Sequence, residues 1–434
     1  MRRLLASVIG PRFPHVAVVL HLCIRVIGVW GRPAGRFPDS SGFESLSFFG
    51  DNLRFWPVPL AYRIADTDGS RIALQVLAGT AAWTWLAMVL ARGSRFPRTV
   101  TAAVLVLGIV PQVSRWDLAI LSESLGISLT VAAVAATVSL ARRPSFVSRA
   151  VWVTALIGCA LVRPTHLLVV VACIVGAGWT LAVSRGTRGI ATTAVLVLVG
   201  AWGLSLQSGN RPMSTLNMYT VLMERVVTND VRWEWFVARG MPDVPGMREA
   251  IGYDFSGQLP AEVARIVDLP PDQAPPSLMR VGGTDLAEWV RDRGWSTYAR
   301  WVVTHPDDTW ERVSSLTPAV ADPPNDDFLP LEHRSVVPRI LFRGWWIWGL
   351  ILVAGIAAAH ARPATRRVAR AIAAMGTVTV AVHVAGLLAS GIEHPRHGAT
   401  AAVALRVLAV CAAVVALGAA PSGDADGAGR RPAA

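Results

Sequence analysis

The chain has 434 residues, of which 53% are hydrophobic and 16% are charged, and its mean hydropathy is +0.45. This composition excludes an ordinary soluble domain of that length and is typical of a protein whose helices lie in a bilayer. The formal charge of +12 comes from 41 basic residues that are all arginine. Many of them lie at the ends of apolar segments, so the charge indicates membrane topology rather than nucleic-acid binding.

Ten apolar segments follow one another along the chain, and each approaches the ~20 residues that a helix needs to cross ~30 Å of hydrocarbon. We therefore predict an all-α integral membrane protein with about ten transmembrane helices. Only residues 163–166 separate the fifth and sixth segments, so a single long bent helix is the alternative there. The predicted spans are residues 13–30, 72–91, 99–114, 118–140, 150–162, 165–183, 189–206, 341–360, 371–390 and 399–419.

Arginine clusters occupy every second connection between these spans, and cytoplasmic loops carry the excess of positive charge. Both termini are then cytoplasmic, in a multi-pass protein of the cell membrane. Merging spans five and six would break the alternation, which favours keeping them separate. The clusters lie at residues 1–3, 92–98, 142–149, 185–188, 362–370 and 430–431.

One long polar segment, residues 207–340, interrupts the membrane helices between spans seven and eight. It contains 13 arginines and 19 acidic residues, a net charge of −6, which agrees with an external position. Its Trp-rich stretches have the apolar spacing of helices, and proline pairs divide it, so we predict a mostly helical external cap. The remaining predicted units are an N-terminal membrane module at 1–206, C-terminal membrane helices at 341–420 and a disordered cytoplasmic tail at 421–434.

The first external loop, residues 31–71, contains Asp39 and Glu44 among aromatic residues and prolines. A carboxylate held at the membrane surface could take a proton from a hydroxyl that arrives from the aqueous side. The alternative is that Asp39 caps a turn or a helix, as aspartate often does after proline. Glu44 is a further candidate for substrate binding.

Two more acids, Asp117 and Glu123, follow where the chain passes from a short external loop into the fourth span. Glu123 is predicted to lie about a turn and a half below Asp117, within the membrane, where an ionisable residue is costly and faces a cavity or a partner. A structural ion pair of Glu123 with Arg25 or Arg163 is the alternative.

Arg163 begins the sixth span, and Glu393, Arg396 and His397 lie in the predicted loop before the last one. Guanidinium groups bind phosphate through a rigid fork of donors, and lipid phosphates lie at this depth, so the two arginines suggest an anionic headgroup ligand. Arginines that merely anchor helix ends are the alternative. A zinc site of Glu393, His394 and His397 is disfavoured because Pro395 interrupts a regular helix.

The order of these motifs resembles that of the multi-spanning glycosyltransferases of the C superfamily, which move a sugar from a polyprenyl-phosphate carrier to an acceptor outside the cytoplasmic membrane. Asp39 stands where such enzymes carry an essential acid in the first external loop. The resemblance covers roughly residues 10–183 and 340–420; no second acid adjoins Asp39, and Phe43 replaces a tyrosine common there. The other similar motifs are Ser122-Glu123-Ser124-Leu125, Arg163-Pro164-Thr165 and Glu393-His394-Pro395-Arg396-His397.

The resemblance implies inverting transfer, with Asp39 as the base and Glu123 as a second catalytic acid. It implies that lipid phosphate or sugar is bound by Glu44, Asp117, Arg163, Glu393, Arg396 and His397. The donor would be a polyprenyl-phosphate sugar, and the acceptor would be an envelope glycan, lipid or protein. The resemblance leaves open whether a divalent metal takes part. The alternatives are a transporter or flippase of a lipid-linked or anionic substrate and a non-catalytic envelope-assembly protein.

Overall fold

A computed structural model describes residues 12–37, 39–46, 56–163, 217–243, 283–323, 332–391 and 394–418. Throughout these ranges the ordered elements are helices, and the described residues form no β-strand, which confirms the all-helical prediction. The helices are α1 (Phe13–Val29), α2 (Ser40–Glu44), α3 (Pro57–Ile64), α4 (Asp68–Ala91), α5 (Pro97–Leu107), α6 (Pro111–Ser114), α7 (Glu123–Arg142), α8 (Phe146–Ala160), α9 (Asp230–Val237), α10 (Gly283–Trp289), α11 (Trp295–Thr304), α12 (Pro306–Ala321), α13 (Trp345–His360), α14 (Arg366–Ala389) and α15 (His394–Gly418).

Four of these helices, α4, α7, α14 and α15, are long and apolar enough to cross a membrane. A fifth span results if α5 and the following helical piece, Pro111–Leu118, count as one. The predicted number of ten is therefore not supported by the described residues. Helices α1, α8 and α13 have only 15 to 17 residues. At 1.5 Å per residue they reach about 22 to 26 Å, less than the ~30 Å of hydrocarbon. The predicted spans 165–183 and 189–206 lie outside the described residues.

The third predicted span, residues 99–114, is broken rather than continuous. Its two helical pieces are bent by 55°. Val110 is extended, with φ −64° and ψ 146°, because the ring of Pro111 disfavours helical geometry in the preceding residue. The chain then makes a 3₁₀ turn at Arg115–Leu118 and enters α7 only at Glu123. The fourth predicted span, residues 118–140, therefore begins as a helix only at Glu123, and no continuous helix places Glu123 a turn and a half below Asp117.

The membrane-type helices pack in two groups that meet at α7 and α15. Helices α13 and α14 pack on α15, while α4 and α8 pack on α7; α7 also contacts α14 and α15. Gly355 of α13 permits a close approach of α13 to α15, because a Cβ built there would lie 2.8 Å from the backbone carbon of Ala412 in α15. The shared core includes the fully buried side chains of Trp83, Tyr62 and Leu121.

The described parts of segment 207–340 form a second core built on aromatic side chains. Helices α9, α10 and α11 cover the predicted Trp-rich helical stretches. Phe236 is fully buried at their centre, with Trp233, Trp289 and Trp301 packed around it. Helix α12 connects this core to the membrane helices, since its residue Val320 lies against Gly398 of α15. The external position of the segment stays a prediction.

Candidate functional site

Backbone hydrogen bonds hold the first loop against the segment that precedes α7. The Gly35 amide donates to Leu118 O at 2.8 Å, and the Ile120 amide donates to Gly35 O at 3.0 Å. The pair forms an isolated parallel bridge between Gly35 and Ala119. Asp39, four residues further on, is thereby held beside the start of α7. Asp39 occupies the N-cap position of α2, but its side chain makes no capping hydrogen bond to that helix.

Four charged residues from four distant segments meet at this point, and we call Asp39, Glu123, Arg163 and Arg396 the external cluster after its predicted side. Arg396 donates from Nε to Glu123 Oε1 at 2.7 Å and from Nη2 to Asp39 Oδ2 at 2.8 Å. Arg163 donates from Nη2 to the same Glu123 oxygen at 2.5 Å and from Nη1 to Arg396 O at 3.1 Å. The ion pair of Glu123 with Arg163, one of the sequence alternatives, is therefore present.

The burial of the external cluster is uneven. Glu123 has no exposed side-chain surface, Arg396 has 5% and Arg163 has 7%, whereas 35% of the Asp39 side chain is exposed. Two guanidinium groups and the N-terminus of α7 stabilise the buried Glu123 carboxylate, which lies at the first helical residue. Glu123 Oε2 accepts no hydrogen bond from the described residues. Asp39 is thus the member that a molecule in solution can reach.

Arg396 lies on a helix, which corrects the prediction of a loop before the last span. Helix α15 begins at His394, and Pro395 fits there because the amides of the first turn need no partner within the helix. His397 is half-buried and lies close enough to Arg163, Arg396 and Asp39 to interact electrostatically with them. Glu393 lies outside the described residues.

Asp117 belongs to a separate buried pair. Arg25 of α1 donates to both of its carboxylate oxygens, at 2.7 Å and 2.6 Å from Nη2, and Ser124 Oγ donates to Oδ1 at 2.7 Å. The Asp117 side chain is 1% exposed. Because both oxygens are occupied and shielded, this carboxylate holds α1 against the segment before α7. Its predicted contact with substrate would require the pair to open.

Glu44 also lies outside the external cluster, in a group with the exposed Arg36, the partly exposed Asp68 and the buried Arg71. It pairs with Arg36 at 2.9 Å and with Arg71. Hydrogen bonds to Asp68 and then to Glu44 raise the pKa of Arg36 above its ordinary value. These contacts hold the two ends of the first loop together, because Arg36 lies before α2 and Asp68 is the first residue of α4.

An apolar cavity of 480 Å³ lies between α3, α4 and α7. Its lining is mostly alanine, leucine and valine, with Trp85 and a single hydroxyl, Ser128. Two of its lining residues are near the external cluster in the chain, since Leu125 stands two residues after Glu123 and Val162 one before Arg163. The volume lies within the ~300 to 1,000 Å³ of typical ligand pockets.

Sequence reasoning missed the support given by Tyr62 and Gln75. The Tyr62 hydroxyl donates to Leu121 O at 2.6 Å, and Gln75 Nε2 donates to the carbonyls of Asp117 and Ala119 at 3.1 Å. Together they satisfy the carbonyls of the non-helical stretch that carries the acids. A glutamine inside an apolar span is costly unless it is paired, and that signal could have identified Gln75.

Among the described residues no group of three or more His, Cys, Asp or Glu side chains could hold a metal ion. No model of a known protein family matches the chain, and no curated protein matches it either. The external cluster and the apolar cavity are therefore the features of the chain that indicate its function.

Proposed function

We propose that this protein is a membrane glycosyltransferase that moves a sugar from a polyprenyl-phosphate donor to a cell-envelope acceptor on the external face. The observation that carries the proposal is the external cluster itself. Its four members come from the four motifs that resemble the C superfamily in chain order, and they touch one another. The proposal includes the predicted multi-pass topology with both termini cytoplasmic and the cap of residues 207–340 outside.

Asp39 is the base in this proposal because it is the exposed carboxylate of the cluster. The acceptor oxygen attacks the anomeric carbon, and the bond from that carbon to the phosphate oxygen breaks. The electron pair of that bond leaves with polyprenyl phosphate, and the acceptor proton passes to Asp39. Attack opposite to the leaving group inverts the anomeric configuration.

Arg396 and Arg163 stabilise the charge that develops on the leaving phosphate. Nη2 of Arg396 donates to Asp39, so a phosphate that binds at this guanidinium group competes with that carboxylate. Donor binding would then release Asp39 to accept a proton. Glu123, which is buried and bonded to both arginines, is a positioning residue: it holds the two guanidinium groups toward one ligand.

The apolar cavity supports a lipid-linked donor. A polyprenyl chain needs an apolar surface that begins where its phosphate is bound, and the cavity wall adjoins Glu123 and Arg163 in the chain. A free sugar nucleotide would have no use for it. The cluster also fits a transporter's proton relay poorly, because Glu123 bonds both guanidinium groups and a relay would have to give up these contacts whenever the carboxylate takes a proton.

The test compares wild-type protein, Asp39→Asn and Asp68→Asn in lipid nanodiscs, with radiolabelled polyprenyl-phosphate sugars and crude envelope acceptors. Asp68 is a matched control, since its side chain is also 35% exposed and paired with arginine. Asp39→Asn is expected to lose about 10²- to 10⁴-fold in turnover, the usual contribution of a general base, while Asp68→Asn keeps it. Full turnover by folded Asp39→Asn protein would contradict the proposal. If the protein in proteoliposomes moves the donor across the bilayer when no acceptor is present, it is a flippase.

A further inference from the structure

A second charged site lies in the aromatic core of segment 207–340, away from the external cluster. It is a small cavity of 20 Å³, enough for a single water-sized group. Three arginines line it, Arg225, Arg232 and Arg312, together with one carboxylate, that of Asp308. The proposed glycosyl transfer makes no use of this cavity.

The carboxylate is already engaged by one of the three arginines. Arg232 donates to Asp308 Oδ1 from Nε at 3.1 Å and also from Nη2, and Trp301 Nε1 donates to Oδ2 at 2.8 Å. Asp308 therefore has little capacity left for the other two guanidinium groups. Glu224 offsets part of the charge through its attraction to Arg312. Of these five groups three are positive and two negative, so the site keeps an excess of one positive charge.

Two N–H donors at the cavity have no acceptor among the described residues. Arg225 is 5% exposed; its Nη groups donate to the Tyr298 hydroxyl and to Leu387 O and Leu388 O, but its Nε donates to nothing described. Arg312 donates from Nη2 to His394 at 3.0 Å, and its Nε is likewise buried without a described partner. A buried guanidinium N–H left unbonded is costly, so a ligand with accepting atoms is favoured there.

The electrostatics agree with that geometry. Burial, and then the neighbouring charges of Arg312 and Arg232, lower the pKa of Arg225. Burial and Arg232 lower the pKa of Arg312 in the same way. Positive charges that disfavour one another in a small cavity are relieved by an anion.

We propose that this cavity binds one small anion, either a free halide or a carboxylate group, between the guanidinium groups of Arg225, Arg312 and Arg232. Its volume admits one accepting group but no sugar ring. Arg225 also bonds the last carbonyls of α14, so a bound anion would strengthen the junction between the aromatic core and the membrane helices. The proposal is independent of the proposed transferase activity.

The test measures the thermal unfolding midpoint of purified full-length protein in nanodiscs during titrations of chloride and of acetate. The sodium salt of HEPES, whose anion is larger than the cavity and has no carboxylate, keeps ionic strength constant. A ligand that binds only the folded state raises the midpoint saturably. Arg312→Gln is expected to weaken the response at least tenfold, while Arg239→Gln keeps it, because the exposed Arg239 stacks on Trp235 outside the cavity lining.

Either anion alone, or both, can satisfy the proposal: acetate alone identifies a carboxylate-bearing ligand, and chloride identifies a free halide. If Arg312→Gln does not fold, Arg312→Lys keeps the charge but loses the planar fork and should bind several-fold more weakly. The proposal is overturned if the midpoint follows ionic strength whichever anion is added, or if the Arg312 variants respond like the wild type.

Discussion

Nη2 of Arg396 lies 2.8 Å from Oδ2 of Asp39, although 357 positions separate the two residues in the chain. Arg396 is fixed by the first turn of α15 and by Glu123, whereas Asp39 lies on a loop with a third of its side chain exposed. The arginine is therefore the fixed partner and the carboxylate the one able to move. Substitutions on the two sides of this contact should have different effects.

Replacing Arg396 with lysine tests whether the fork of donors matters beyond its charge. A lysine ammonium cannot reproduce the paired donation to Glu123 and Asp39, so kcat/KM for sugar transfer should fall about ten- to hundredfold. Arg32→Lys is the control, since Arg32 pairs with Glu332 at the surface. Equal turnover by Arg396→Lys and wild-type protein would mean that charge alone suffices.

Glu123→Gln should reduce stability more than any exposed acid substitution. It leaves the guanidinium groups of Arg163 and Arg396 buried without their shared counter-charge, a loss of about 3 to 5 kcal/mol in the free energy of unfolding. Denaturant unfolding in detergent micelles measures it. Adding Arg163→Gln should recover part of the loss, because one uncompensated charge is removed; no recovery in the double variant argues against charge as the cause.

Asp117→Asn should reduce the stability of the protein without weakening substrate binding. The Arg25–Asp117 pair is buried and fully bonded, so the variant should lose about 3 to 5 kcal/mol of unfolding free energy. KM for the donor, measured on the folded fraction, should stay unchanged. A selective rise in KM at normal stability would instead restore Asp117 to the substrate-binding residues.

Filling the apolar cavity should affect long donors and spare short ones. Ala132→Phe places a ring in the cavity between α4 and α7, so KM should rise several-fold for long-chain polyprenyl donors and stay unchanged for short-chain analogues. Ala103→Phe, on an exposed position of α5, is the control. An equal rise in KM for long and short donors would mean that the polyprenyl chain does not bind in this cavity.

Acid should destabilise the aromatic core through Asp308. Burial acts to raise the pKa of Asp308, but hydrogen bonds from Arg232 and Trp301 outweigh it and hold the pKa below the ordinary value. A depressed folded-state pKa contributes stability above the unfolded value of ~3.9, and this is lost as the pH falls through the folded-state pKa. Below pH 4 the thermal unfolding midpoint, followed by tryptophan fluorescence, should decrease in both proteins. The decrease should be smaller in Asp308→Asn than in wild-type protein. Parallel pH profiles would contradict this.

Composition and hydrophobic spacing were enough to predict the helical class, the eight apolar segments that recur as helices or helical pieces, and the Trp-rich helices of segment 207–340. These are local properties, because hydrophobic runs and their spacing report on neighbouring residues. The sequence also identified the members of the external cluster, since an ionisable residue in or beside an apolar segment is conspicuous. The first residue of each helix was harder to predict, since α7 begins only at Glu123 and α15 begins already at His394.

The pairing of the charged side chains, in contrast, follows from how the helices pack. Arg25 and Arg163 were equally plausible partners of Glu123, and helix packing assigned Arg25 to Asp117 and Arg163 to Glu123. The apolar cavity arises from the gap left where α3, α4 and α7 meet. The arginine cavity combines residues up to 163 positions apart. The physical reason is common to all three: ion pairing and cavity shape depend on distances between segments, which local sequence does not encode.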